Sequence, residues 1–330
     1  MTPHHDAYAG RTVLVTGAEG FIGSTLVDEL LAAGAHVRAL CHYKPYGTLG
    51  FLANVLDDPR VEVVSGDVRD GHLVDRCVEG VDLVFHLAAL IGIPYSYEAP
   101  DSYVQTNVVG THNVVAACRR HGARMVHTST SEVYGSARAV PIDEQHVLQP
   151  QSPYSASKIA ADAIALSYFH SFDTPVAVCR PFNTYGPRQS TRAVIPAILA
   201  QLRTGTTEIR LGSLTPTRDF TYVTDTALGF LAVGASDAAL GRAVNLGTGT
   251  EISIGDLAET LIDISGQEAR VVSDDSRRRP DGSEVDRLLS DNTLARELTG
   301  WAPTVSLTDG LERTWRWVLS REREDGRYVV

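Results

Sequence analysis

The chain has 330 residues, more than a single compact core usually holds and about right for two lobes. Its formal charge is −11, from 40 acidic against 29 basic residues, which excludes nucleic acid and anionic membrane surfaces as main partners. The four cysteines, Cys41, Cys77, Cys118 and Cys179, form no C-x-x-C pair and no cluster with histidine; they read as small buried residues of a reducing cytoplasm, with no metal site.

The first ten residues contain no apolar signal core. No later run reaches the ~20 apolar residues of a membrane span, so a soluble, cytoplasmic protein is expected. From Arg11 to about Pro181, short β-branched runs alternate with longer helical patterns, as in a parallel sheet covered on both faces. Strands are predicted at Thr12–Thr16, His36–Cys41, Val61–Ser65, Leu83–Ala88, Met125–Ser129 and Val176–Arg180. Helices are predicted at Phe21–Ala33, Gly71–Val78, Tyr103–His121 and Ser155–Phe172, each closed by glycine or by a polar turn such as Asp173-Thr174-Pro175. The fold class is α/β, a doubly wound parallel sheet.

After Pro181 the pattern is less regular, with helices predicted at Ala193–Thr204, Asp225–Ala235, Ile254–Ser265 and Asp309–Ser320. Ser273–Glu284, which holds Arg277, Arg278 and Arg279, reads as a loop. Residues 182–330 are therefore expected to form a smaller C-terminal α/β substrate lobe, and 1–181 a nucleotide-binding unit with a return segment near 218–247.

Gly17-Ala18-Glu19-Gly20-Phe21-Ile22-Gly23 follows the first strand and opens the first helix. Gly17, Gly20 and Gly23 let the backbone approach a pyrophosphate at the positive helix end, with Phe21 and Ile22 between them, which points to a Rossmann-type dinucleotide site. The second strand ends Ala39-Leu40-Cys41-His42-Tyr43-Lys44, without the acid that commonly accepts from the adenosine ribose. That omission leans towards NADP over NAD, with His42 and Lys44 as partners for a 2′-phosphate, unless Lys44 is simply a solvated loop residue.

Tyr154-Ser155-Ala156-Ser157-Lys158 puts a phenol and an ammonium four apart on one helix face, after a strand that ends in Thr128-Ser129-Thr130-Ser131-Glu132. The carboxyl ends of parallel strands are where such a fold binds ligands. A neighbouring ammonium and a positive nicotinamide both favour phenolate, and a shift of about three pH units needs roughly 4 kcal/mol. Tyr154 is thus expected as acid/base on a substrate hydroxyl, Lys158 as its tuner and a cofactor-ribose ligand, and Thr130 as a hydroxyl partner.

These residues, with Gly66-Asp67, His86-Leu87-Ala88-Ala89, Asn107, Arg180-Pro181-Phe182-Asn183-Thr184-Tyr185-Gly186-Pro187, Arg218-Asp219-Phe220 and Asn245-Leu246-Gly247, carry a resemblance. Across nearly all its length the chain resembles the extended short-chain dehydrogenases/reductases, the NAD-dependent nucleotide-sugar epimerases and dehydratases. The resemblance implies that Asp67, with Val68, contacts the adenine, and that Leu87, Ala88 and Ala89 line the cofactor. It also implies that Asn183 and the arginines Arg192, Arg218 and Arg279 hold a substrate diphosphate, although Arg279 equally suits an exposed basic loop. Planar guanidinium forks suit such a dianion and explain how an acidic protein binds one. The family usually pairs through two long helices, here Tyr103–His121 and Ser155–Phe172, which implies a homodimer.

Glu132 distinguishes reactions within that family, because simple 4-epimerases generally lack an acid there, whereas many 4,6-dehydratases and UDP-glucuronate decarboxylases carry one. Ala88–Tyr97 and Pro150–Lys158 are most similar to UDP-N-acetylglucosamine 4,6-dehydratases of the legionaminic-acid type. The implied reaction is C4 oxidation, loss of water across C5 and C6, and hydride return on a retained NAD or NADP. Glu132 would be base and then acid, with a pKa raised towards neutrality by a dry site. Glucose-type dehydratases have an aspartate where this chain has Ser131, so Glu132 or a water would assist the leaving hydroxyl. A 4-epimerase or a UDP-glucuronate decarboxylase shares the cofactor residues, and a non-catalytic dinucleotide-binding protein is the remote alternative.

Overall fold

A computed structural model describes residues 4–44, 49–277 and 281–321. The chain runs through β1 (Thr12–Thr16), α1 (Phe21–Ala32), β2 (His36–His42), β3 (Val61–Gly66), α2 (Gly71–Val78), β4 (Leu83–His86), α3 (Ile93–Glu98) and α4 (Pro100–Tyr103). A π-helical segment, Val104–Val109, leads into α5 (Gly110–His121), followed by β5 (Arg124–Thr128), α6 (Pro153–Phe172) and β6 (Val176–Pro181). Then come β7 (Asn183–Tyr185), α7 (Val194–Arg203), β8 (Glu208–Leu211), β9 (Thr217–Arg218), β10 (Phe220–Tyr222), α8 (Val223–Ala235) and β11 (Ala243–Leu246). The last elements are β12 (Ile252–Ser253), α9 (Ile254–Ser265), β13 (Arg270–Ser273), β14 (Arg287–Leu288), α10 (Thr293–Thr299) and α11 (Leu307–Ser320).

Seven strands form one parallel sheet in the order β11-β6-β5-β4-β1-β2-β3, a Rossmann-type α/β fold. Side chains alternate across the pleat, so Val13 and Val15 enter one apolar layer with Leu30 and Phe230, while Leu14 enters the other with Val74 and Val114. Both faces are covered, which is why these strands read as unbroken apolar runs. Each such buried side chain contributes about 1.5–3 kcal/mol, so two filled layers hold the strand ends rigidly. The order reverses between β1 and β4, and the crevice above their carboxyl ends is where such sheets bind ligands. A third core, around Tyr185, Leu199, Ile209, Leu261 and Trp315, joins α7, α9 and α11 to the short strands beyond β6.

Several predicted boundaries move for identifiable reasons. The strand predicted to Ala88 stops at His86, because the Thr16 hydroxyl accepts the N–H groups of Leu87 at 3.1 Å and Ala88 at 3.0 Å and turns the chain out of the sheet. Tyr103–His121 is not one α-helix; the π segment interrupts it where Asn107 bonds the backbone of Leu90. α6 starts at Pro153, before the predicted Ser155, since Ser152 and Ser155 form a reciprocal capping box with proline at the first helical position. The short helices α3 and α10 have too few turns to show a period and were not expected.

All four cysteines are buried and unpaired. Among the described residues no helix is long and apolar enough to cross a membrane.

Gly23 packs so closely on the first turn that a Cβ there would lie 2.2 Å from the Gly17 carbonyl oxygen. Backbone cannot yield as a flexible side chain does, so Gly23→Ala is expected to destabilise the fold by about 1–3 kcal/mol, read as a lower urea midpoint. An unchanged midpoint would contradict this packing.

Candidate active site

The glycine turn is fixed by its backbone. Gly17, at φ +69°, donates its N–H to Leu40 at 2.9 Å, and a Cβ on it would stand 3.0 Å from the Ala88 backbone. The α1 ladder starts with the Ser24 N–H on the Gly20 carbonyl, so the amides of Phe21, Ile22 and Gly23 have no acceptor within the helix. Three amides at a positive helix end fit a pyrophosphate. Ala88 and Leu87, on the turn after β4, face this loop across the crevice.

At the ends of β2 and β3, Asp67 is held by Arg69, whose Nη2 donates to its Oδ2 at 2.6 Å; this contact lowers the Asp67 pKa. Val68 is buried beside it. The exposed His42 ring turns towards the same carboxylate at 3.9 Å, and Lys44 is exposed. The end of β2 has no acid of its own, but Glu19, from the glycine turn, reaches it and accepts the His42 backbone N–H on Oε1 at 2.8 Å.

Tyr154 and Lys158 both lie in the first two turns of α6 and are buried. The phenol contacts the Thr130 side chain and feels the charge of Glu132, while its ring packs edge-on to Tyr103 at 6.2 Å between centroids. Thr130 caps the short turn Ser131–Tyr134 by accepting the Glu132 N–H at 3.2 Å, and Ser131 is buried on that turn. Asn107 links the parts: its Oδ1 accepts from Leu90 N–H, and its Nδ2 donates to Ser157 Oγ at 2.9 Å, which donates to the Tyr154 carbonyl. A π segment re-aims a side chain off the regular helical spacing, and here it delivers Asn107.

The electrostatics differ from the sequence expectation. Burial pushes the Tyr154 phenol up, the Thr130 hydrogen bond opposes this, and Glu132 adds to the rise. Burial likewise pushes Lys158 down to about 8, with Asp162 opposing. The protein's own groups therefore do not make the phenol basic, because removal from water and the Glu132 charge outweigh the Thr130 hydrogen bond.

Beneath Lys158 lies a buried polar network that sequence reasoning missed. Asp162, one turn further along α6, accepts from Ser129 Oγ at 2.8 Å and from Arg180 Nη2 at 3.0 Å, with His127 Nε2 3.3 Å from its other oxygen. Arg180 also donates to the Tyr134 hydroxyl at 3.0 Å, which donates to Asn245 on β11 at 2.7 Å. The recurrence of Tyr154, Lys158 and Asp162 at four-residue steps was a signal in the sequence for this network.

On the substrate side, Asn183 Oδ1 is buried with no hydrogen-bond partner among the described residues, and its backbone N–H donates to the Asp219 carbonyl. Arg218 is buried, with Nη1 on the Thr217 carbonyl at 2.9 Å and Nη2 3.6 Å from Glu284. The Glu284 carbonyl accepts from Gln151, three residues before Tyr154, so Arg218 approaches the start of α6. Arg192 is exposed, and its charge reaches the Tyr103 phenol. Arg279 lies outside the described residues. Ala89 is half-buried on the turn after β4. The structure thus gathers Thr130, Ser131, Glu132, Tyr154 and Lys158 near the carboxyl end of β5 and the start of α6, with Arg218 brought towards them through Glu284 and Gln151.

A family model described as GDP-mannose 4,6 dehydratase matches residues 14–314. The chain is 36% identical over 310 residues to a dTDP-glucose 4,6-dehydratase of Streptomyces antibioticus, covering 92% of this chain and 91% of the relative. It is 36% identical over 307 residues to a UDP-glucose 4-epimerase of Mycolicibacterium smegmatis, covering 91% and 96%. Among solved structures, a double mutant of the dTDP-glucose 4,6-dehydratase of Streptomyces venezuelae, solved with NAD bound, superposes with a TM-score of 0.84 at 34% identity, covering 93% of this chain and 97% of that one.

Burial lowers the His127 pKa from 6.5 to about 4. The unfolded chain then binds the extra proton first, so stability is full above about pH 6.5 and is lost as pH falls towards about 4. Between about pH 7 and about pH 5 this amounts to about 2 kcal/mol. Urea unfolding is expected to show a shallower acid loss in His127→Gln, and an equal loss in both proteins would contradict the assignment.

Proposed function

Because the chain belongs to the GDP-mannose 4,6 dehydratase family of NAD-dependent epimerases and dehydratases, we propose that it is a nucleotide-diphosphate-sugar 4,6-dehydratase acting on UDP-N-acetylglucosamine or a close relative. The feature that supports this reading is Glu132, which sits on the turn Ser131–Tyr134 whose cap, Thr130, bonds the Tyr154 phenol. The substrate class rests on the sequence of Ala88–Tyr97 and Pro150–Lys158.

When bound, NAD or NADP would supply the hydride acceptor for C4 and the hydride donor for C6, and its oxidised ring would add the positive charge a phenolate needs. The amides of Phe21, Ile22 and Gly23 would hold the pyrophosphate, Asp67 and Val68 the adenine, Lys158 the nicotinamide ribose, and Leu87, Ala88 and Ala89 the wall of the crevice. Asn183, Arg192, Arg218 and Arg279 would hold the sugar's diphosphate; an unpartnered buried Asn183 oxygen is a reason for a ligand hydroxyl to settle there.

Tyr154 takes the C4 hydroxyl proton, with Thr130 bonded to the phenol. The resulting 4-keto group makes the C5 proton acidic, and Glu132 removes it. Glu132 then protonates the departing C6 hydroxyl, which leaves as water, and the proton held by Tyr154 offsets the one C5 regains. Ser131 cannot serve as the acid that glucose-type dehydratases place at its position, so Glu132 does both tasks.

A 4-epimerase is the second reading, supported by 36% identity to such an enzyme, and it requires only Tyr154 and the cofactor residues. A homodimer along α5 and α6 is part of the proposal: Val104 and Val109, on the π segment that leads into α5, and Phe172, at the end of α6, are exposed apolar residues.

Incubation with a panel of nucleotide sugars is expected to yield a product lighter by one water. Tyr154→Phe should lower turnover by about 10²-fold or more. Glu132→Gln should still oxidise C4 but stop there, seen as reduced cofactor absorbance that persists; full dehydration by that variant, or an isomer of unchanged mass from the wild type, would refute the dehydratase reading.

A further inference from the structure

The end of β2 offers Cys41-His42-Tyr43-Lys44 and no acid of its own, but a carboxylate reaches that place from another element. Glu19 Oε1 accepts the His42 N–H at 2.8 Å, and Oε2 is shut from water with no hydrogen-bond partner among the described residues. The side chain is held there by its backbone. The Glu19 carbonyl accepts from Phe51 N–H at 3.4 Å, and Gly50, at φ +57°, comes so near that a Cβ on it would meet that carbonyl oxygen at 2.5 Å. The adjacent Cys41 thiol is pushed up to about 12, by burial first and by Glu19 second, so the carboxylate lies against the strand end.

We infer that Glu19 reads the adenosine ribose and selects NAD against NADP. The inference rests on the dinucleotide reading above and adds a specificity residue to it. A carboxylate has room for about four hydrogen bonds; the His42 N–H takes up one and the Cys41 thiol approaches as a second, which leaves acceptor capacity on Glu19. A ribose hydroxyl can donate a further one; a 2′-phosphate brings no such donor and carries negative charge towards negative charge.

The neighbouring cations do not reverse this balance. Arg69 is committed to Asp67 through both Nε, at 3.0 Å, and Nη2, at 2.6 Å. His42 faces the same carboxylate at 3.9 Å, which leaves the exposed Lys44 against Glu19. The strand end therefore has no surplus of positive charge for a phosphate, contrary to what the sequence of β2 alone implies.

The test offers the purified protein equal concentrations of NAD and NADP, removes free nucleotide by gel filtration, and weighs the dinucleotides released by heat. Wild type is expected to retain NAD. Glu19→Gln keeps an oxygen for the His42 N–H and removes the charge, so it should shift the NADP-to-NAD ratio upwards by about tenfold or more at similar melting temperature. Retention of NADP by the wild type, or the same ratio in a Glu19→Gln protein that melts like wild type, would overturn the assignment. Should Glu19→Gln melt early, Glu19→Ser, which lacks both charge and reach, must show the same shift, and an unchanged ratio there also overturns it. Retention of neither dinucleotide by the wild type would instead remove the cofactor reading beneath it, and the assignment with it.

Discussion

A buried charged network underlies the site. Asp162 joins Lys158, His127, Ser129 and Arg180, and Arg180 extends it to Tyr134 and thence to Asn245. Tyr134 closes the turn that carries Glu132, so the buried bonds of Arg180 and Tyr134 tie that turn to α6, where Tyr154 and Lys158 lie. Buried ions are tolerated only when paired and fully bonded, and removing one partner strands the rest, commonly at a cost of 3–5 kcal/mol. The Glu132 turn is thereby tied through Tyr134 to Arg180 on β6 and Asn245 on β11, and Arg180 is tied in turn to Asp162 on α6.

The same economy explains how a protein of charge −11 can suit a doubly anionic ligand. The positive groups are local: the first amides of α1, the buried Lys158, and Arg218 near the start of α6. Basic side chains near the strand ends are also held by acids, Arg69 by Asp67, Arg180 by Asp162 and Arg218 by Glu284. Attraction is thereby confined to a few fixed donors, which favours a ligand with phosphates at one end and hydroxyls at the other.

The sheet was legible because its strands are buried on both faces and appear as short apolar runs between glycine and polar turns. The phenol and lysine were legible from their spacing and their place after β5. Less visible were features made by contacts between distant segments. Glu19 sits inside the glycine motif, where a sequence reading attends to the glycines, and only the fold shows that it covers the end of β2. Asn107 acts through a π segment that no helical period announces. The direction of the Tyr154 shift depends on how far the phenol is withdrawn from water, which spacing does not encode.

The central claim is that this site oxidises C4 of a sugar nucleotide and uses the same hydrogen to complete the product at C6. The most direct measurement supplies UDP-N-acetylglucosamine carrying deuterium at C4, with no added cofactor, and locates the label by NMR. The account predicts deuterium on C6 of a dehydrated 4-keto product. Deuterium still on C4, or lost to solvent, would contradict it.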